Sequence, residues 1–173
     1  MTEDKEKKVN DVLDKLKISF TRHSHSPVFT VEQAVKQWKG IQGSHCKNIF
    51  VRNKKGNQHY LIIVEHLKKL DLKKISEMLG QNRLSFASPE RLKKYLGLEA
   101  GSVSPFGLIN DTDHHVRVLI DADLQGEKFI NFHPNVNTAT YTISFNDFRK
   151  FLDWAKNEYN FIKIQPDSKK RPA

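Results

Sequence analysis

Helical and strand periodicities alternate from one end of this 173-residue chain to the other, and that alternation limits the possible folds more than any single motif. Val9, Val12, Leu13 and Leu16 recur at i, i+3, i+4 and i+7, which predicts an amphipathic helix over 3–17. Ile18-Ser19-Phe20 alternates like a short strand ahead of the polar stretch 22–26. Thr30 and Gln33 have capping-box spacing, Val31, Ala34, Val35 and Trp38 repeat the helical stripe, and Gly40 and Gly43 close it. Two β-rich runs, 48–53 and 59–65, surround Asn53-Lys54-Lys55-Gly56-Asn57 in the pattern of a hairpin. Asp71 then caps a helix that turns Leu72, Ile75 and Leu79 inward and stops at Gly80. Ser88-Pro89 opens another, carrying Leu92, Tyr95 and Leu96.

The second half is strand-rich. Runs at 116–120, 128–132 and 138–143 carry β-branched or aromatic residues between turn signals. Ser144, with Asp147 three residues on, starts a helix with Phe148, Phe151, Leu152 and Ala155 on one face, and a last strand is expected over 161–164. Hairpin-like neighbours thus sit beside helical crossovers. The pattern predicts one α/β domain over residues 1–165, a central mixed sheet surrounded by helices rather than a doubly wound parallel one. Residues 166–173 read as a flexible tail. The longest unbroken apolar run, Tyr60-Leu61-Ile62-Ile63-Val64, is far short of the roughly 20 residues of a membrane span. The charged start MTEDKEKKVN lacks the apolar stretch of a secretory signal, so a cytoplasmic protein with no membrane partner is expected.

A net charge of +9 suggests a polyanionic partner, because each neutralised phosphate releases counterions and adds salt-sensitive affinity. Lysine doublets recur along the whole chain, at 7–8, 54–55, 68–69, 73–74, 93–94 and 169–170, so no single arm holds the charge.

No phosphate-binding glycine loop, dinucleotide fingerprint or nucleophile elbow occurs. The lone Cys46 excludes an internal disulfide and a Cys-rich zinc module, and as a neighbour of His45 in a strand it points to the opposite face. Eight histidines are scattered without the spacing of a zinc site, so no metal is expected. Three places remain. Lys47-Asn48 stands directly before the apolar strand Ile49-Phe50-Val51. Gly101-Ser102-Val103-Ser104-Pro105 is a small-residue loop whose glycine can bring backbone N–H groups close to a carbonyl and whose proline stiffens it. His133-Pro134-Asn135 punctuates two strands.

The succession CKNIFVRN, LGLEAGSVSPFGLIN and NFHPNVNTATYTIS, followed by a helix with Phe148, Phe151, Leu152 and Trp154, resembles the freestanding prolyl-tRNA editing deacylases of the YbaK/ProX superfamily. The resemblance runs over about 3–165 and lies closest to the ProX-type branch. It implies a trans-editing enzyme that hydrolyses mischarged Ala-tRNA(Pro), with no cofactor and no metal. Its partners would be the acceptor stem and 3′ end of tRNA(Pro), with prolyl-tRNA synthetase as a second, and neither DNA nor a membrane. It further implies that Lys47 holds the phosphate of the terminal adenosine and that Gly101 and Pro105 bound a loop whose N–H groups polarise the aminoacyl carbonyl. Ser102, Val103 and Ser104 would line that loop, and Asn48 and His133 would shape the pocket around the amino acid and its ester. By the same resemblance no protein nucleophile is needed, and a ribose hydroxyl of the substrate assists the attacking water.

Such an activity has a physical rationale. A site built for proline cannot reject alanine by size, since a missing methylene is worth only about 1–3 kcal/mol, so a second, smaller pocket must remove the error. The lysine doublets would follow the acceptor stem, and exposed aromatic side chains would stack on its unpaired end. Three other readings stay open on the sequence: a Cys-tRNA(Pro) or Ser-tRNA deacylase, a non-catalytic tRNA-binding module, and a metal-dependent hydrolase using the histidines.

Overall fold

The computed structural model describes residues 2–165. The tail expected over 166–173 lies outside the described residues. Five α-helices occur among them: α1 (Thr2–Lys15), α2 (Val31–Gln37), α3 (Leu72–Met78), α4 (Pro89–Leu96) and α5 (Phe145–Ala155). The strands are β1 (Thr21–Ser24), β2 (Ser44–Asn53), β3 (His59–Glu65), β4 (Leu84–Phe86), β5 (Arg117–Asp121), β6 (Phe129–Phe132), β7 (Ala139–Ser144) and β8 (Tyr159–Ile162). They form one sheet in the order β1-β7-β6-β2-β3-β5-β8, with β4 added to β2. β2/β6, β3/β5 and β5/β8 pair in parallel and the other neighbours antiparallel, so the sheet is mixed as expected.

Both faces of the sheet's centre are covered. Leu61, Ile63, Val118 and Ile120 point into the larger core, with Val9 and Leu13 of α1, Leu92 and Leu96 of α4, and Phe148, Phe151 and Leu152 of α5. Tyr60, Ile62, Val64 and Leu119 point the other way, toward Ile75 of α3 and Ile164. A strand buried on both faces needs apolar residues at every position, which is why Tyr60–Val64 is unbroken.

The helix caps follow the sequence. Thr30, Ser88 and Ser144 each accept a backbone N–H three residues on, at 3.1, 3.2 and 3.0 Å, and Asp71 accepts from Lys73 and Lys74 at 3.1 and 3.2 Å. Strand bounds are corrected at β1, β2 and β8: β2 begins at Ser44 rather than 48, so Lys47 and Asn48 lie within the strand instead of before it. The first is Thr21–Ser24, not Ile18–Phe20: Ile18 instead buries itself beneath the end of α1, and Phe20 stacks on Tyr141 at 4.3 Å. β1 is an edge strand paired only with β7, so its residues are polar and carry no alternation. The last strand is Tyr159–Ile162 rather than 161–164, because its register is set by pairing with β5 at Val118–Asp121.

This topology opens the sheet beside β2. On the edge of β2 away from β3, β6 pairs only at Ser44 and His45, and β4 only at Val51–Asn53. Between them the sheet splits along Cys46–Phe50, where Phe50 O accepts the Ala87 N–H at 3.0 Å. Gly43 permits the junction below the split: a Cβ there would lie 2.9 Å from both Phe129 Cβ and Phe129 O, and its φ is +97°.

Candidate active site

Lys47 and Asn48 occupy β2 at the split. Alternation along the strand sends them to opposite faces: Lys47 lies opposite Val64, on the α3 side, and Asn48 opposite Ile63, on the side of the larger core. Asn48 Oδ1 is buried and accepts no hydrogen bond from the described residues. A buried amide oxygen without a donor costs roughly 1–3 kcal/mol, so this atom is suited to a donor brought by a ligand.

His133 follows the last residue of β6. Since β2 and β6 run parallel and pair at Ser44/Ile130 and His45/Asn131, Lys47 and His133 each lie two residues beyond the His45/Asn131 pair, on either side of the opening. His133 is half-buried, and its Nδ1–H donates to Ala139 O at 2.8 Å, leaving Nε2 with a lone pair. Burial holds its pKa below the ordinary imidazole value despite that carbonyl, so the ring is neutral near pH 7. Its edge meets the His25 ring with centroids 5.7 Å apart.

The glycine loop leads into a 3-10 turn, Pro105–Asn110, whose N-cap is Ser104: its Oγ accepts the Phe106 N–H at 3.1 Å. Pro105 is buried and Val103 packs against the larger core, so the far end of the loop is anchored. Gly101 stands exposed at φ +89°, a conformation L side chains rarely adopt. Among the loop amides of residues 101–104, that of Ser102 donates to Glu99 O at 3.1 Å, and the other three meet no acceptor among the described residues. Unused N–H groups on an anchored loop are the donors an oxyanion requires. Ser104 Oγ accepts within the turn, and Ser102 and Ser104 are both buried.

Two contacts tie the loop to the other side of the opening. The Cβ position of Gly101 lies 3.8 Å from Val28 O and 3.9 Å from Phe29 Cδ1. Val28 O also accepts from Asn137 Nδ2 at 3.3 Å, in the turn that follows His133. The segment 25–29 therefore sits between the glycine loop and the His133 turn, with Phe29, 72% exposed, at its end. Sequence reasoning did not single out this segment, because Pro27-Val28-Phe29 carries no motif.

Several other histidines are engaged by neighbouring side chains. His23 and His25 bond Thr142 and Thr140 of β7 at 3.1 and 2.9 Å. His45 stacks on Trp38 at 4.3 Å, and burial lowers its pKa to about 4. His59 is buried, bonded to His115 at 2.8 Å and to Arg91 at 3.0 Å; burial first, and the neighbouring charges second, bring it to about 4 as well. Among the described residues no group of three or more His, Cys, Asp or Glu side chains is arranged to hold a metal ion. Cys46 is buried in the larger core, which pushes its thiol pKa well above the ordinary value and leaves it unreactive.

A family model of the aminoacyl-tRNA editing domain matches residues 25–151. The prolyl-tRNA editing protein ProX of Acetoanaerobium sticklandii is 41% identical over 152 residues, covering 88% of this chain and 93% of that one. The prolyl-tRNA synthetase associated domain-containing protein 1 of Danio rerio is 33% identical over 152 residues, covering 87% and 82%. A solved structure of a hypothetical protein superimposes with a TM-score of 0.71 at 17% identity, over 91% of this chain and 98% of that one. Another, put forward as a trans-editing enzyme for prolyl tRNA synthetase, gives 0.69 at 19% identity over 93% and 96%; at such identities both show the fold. The chain belongs to the aminoacyl-tRNA editing domain family, and with it to the deacylase class of hydrolases.

Proposed function

We propose that this protein is a trans-editing deacylase that hydrolyses mischarged tRNA(Pro), with the alanyl ester as its chief substrate. The observation that carries the reading is the buried Asn48 Oδ1, which lacks a donor among the described residues and sits in the strand that borders the split; the anchored glycine loop would supply the N–H groups that face it. The ester carbonyl would lie against the loop amides, and the substrate's ammonium group would donate to Asn48 Oδ1. Lys47, a compact point charge, would hold the phosphate of the terminal adenosine. Water adds to the carbonyl carbon, the loop N–H groups stabilise the tetrahedral oxyanion, and the ester C–O bond breaks with the proton passing to the leaving ribose oxygen. One such donor is worth roughly 3–4 kcal/mol in the transition state. Neutral His133 would accept a hydrogen bond at Nε2 from the ribose or the water. The name of the ProX relative supports tRNA(Pro) as the acceptor, and the editing logic for proline supports alanine as the error removed.

The test is single-turnover deacylation of Ala-, Cys- and Ser-tRNA(Pro) in parallel, with a chelator present throughout. The reading expects the alanyl ester to be lost fastest, by tenfold or more. Faster loss of the cysteinyl or seryl ester would reassign the substrate, and three intact esters would leave a binding module.

A further inference from the structure

An open groove of about 980 Å³ lies on the face of β2 that carries Lys47, outside the proposed catalytic pocket. Ile49, two residues from Lys47 on the same face, forms part of its floor, and Phe86, opposite Val51 on β4, stands beside it. α3 supplies a wall with Ile75 and Met78. Phe86 is 69% exposed and Met78 55%, an expensive arrangement for apolar side chains that no internal packing explains. Lys69, Lys74 and Lys163 stand around the rim. Of the carboxylates that line it, Asp71 is engaged as the N-cap of α3, and Glu77 is exposed.

An aromatic face on an apolar floor with lysines at the rim is the combination that binds single-stranded nucleic acid: bases stack on the ring, and cations follow the backbone. We propose that this groove holds the unpaired nucleotides immediately 5′ of the terminal adenosine, with Phe86 as the stacking platform. The assignment rests on the reading of Lys47 given above. With the aminoacyl ester on the Asn48 side of the split and its phosphate at Lys47, the strand that leads away from the reacting end continues over Ile49 toward Phe86. The net positive rim favours a polyanion over an apolar peptide as the occupant.

The probe is an RNA acceptor-stem hairpin with an unpaired 3′ end carrying 2-aminopurine next to the terminal adenosine. Wild-type protein is expected to quench the fluorophore. Phe86→Ala, a change at an exposed position, should abolish the quench and weaken binding about tenfold. Lys74→Ala with Lys163→Ala should lower the slope of log affinity against log salt by roughly 1.4. In deacylation, the Phe86→Ala penalty on Ala-tRNA(Pro) should disappear on a mononucleotide ester, the 3′-alanyl ester of adenosine monophosphate, which has nothing to place in the groove. An unchanged quench in Phe86→Ala, or an equal penalty on both substrates, would overturn the proposal. So would normal RNA binding in all the groove variants with loss only of a protein partner. Phe86-dependent RNA binding by a protein that hydrolyses no aminoacyl ester would instead sink the deacylase reading and leave the groove standing.

Discussion

Gly101 is required by its backbone rather than by crowding. A Cβ there would meet nothing closer than 3.8 Å, yet φ of +89° penalises any L side chain by about 1–2 kcal/mol. Gly101→Ala should therefore fold with that small loss of stability while the loop rotates its amides away. The expected single-turnover rate is lower by a factor of ten or more on Ala-tRNA(Pro); a full rate would mean that the loop does not contact the carbonyl. The glycine–proline loop was legible in the sequence as a backbone requirement, whereas Lys47, which lies inside β2 rather than at its start, was singled out through resemblance. Phe29 and Phe86 were not legible, since an aromatic residue reads as core until its exposure is known. Asn48 was legible as a site residue only through resemblance; that its Oδ1 lacks a donor is a fact of packing.

Elements were read best where local chemistry defines them. The serine, threonine and aspartate caps and the β2–β3 hairpin form as the sequence predicts, since each is specified by residues a few positions apart. Edge strands were misplaced because a strand with one neighbour is positioned by that neighbour. β4 was overlooked because its three residues are too short for a pattern. The split at β2 combines both problems: it exists because β6 and β4 pair with different ends of one strand. The histidines packed on these elements give the fold a pH dependence. His45 and His59 have folded pKa values of about 4 against about 6.5 unfolded, mainly from burial. Between those values the unfolded chain binds protons that the folded one refuses, so stability is full above about pH 6.5 and is lost as pH falls toward 4. The urea midpoint should be lower at pH 5 than at pH 7; an equal or higher midpoint at pH 5 would show that these rings are not held neutral.

Across the whole molecule, the positive charge separates into two roles that sequence counting merged. Lys68, one of the paired lysines expected to follow phosphates, is withdrawn from the surface. Its Nζ donates to Asp121 at 2.9 Å, Asp123 at 2.6 Å and Ile164 O at 3.0 Å, joining the turn after β3 to the ends of β5 and β8. Those carboxylates outweigh burial and hold its pKa above the ordinary lysine value. The lysines at 54–55, 69, 73–74 and 93–94 do remain exposed and available to a polyanion. No helix among the described residues is long and apolar enough to cross a membrane. What the fold supplies is a sheet divided beside β2, with Lys47 and Asn48 in the strand that borders the division. The decisive measurement is the single-turnover rate on Ala-tRNA(Pro) relative to Pro-tRNA(Pro), for wild type and for Lys47→Ala with its fold checked by circular dichroism. The expected result is rapid loss of the alanyl ester with the prolyl ester spared, and a drop of at least a hundredfold in the folded Lys47→Ala protein. Equal loss of both esters, or an undiminished rate without the lysine, would contradict an editing site at this split.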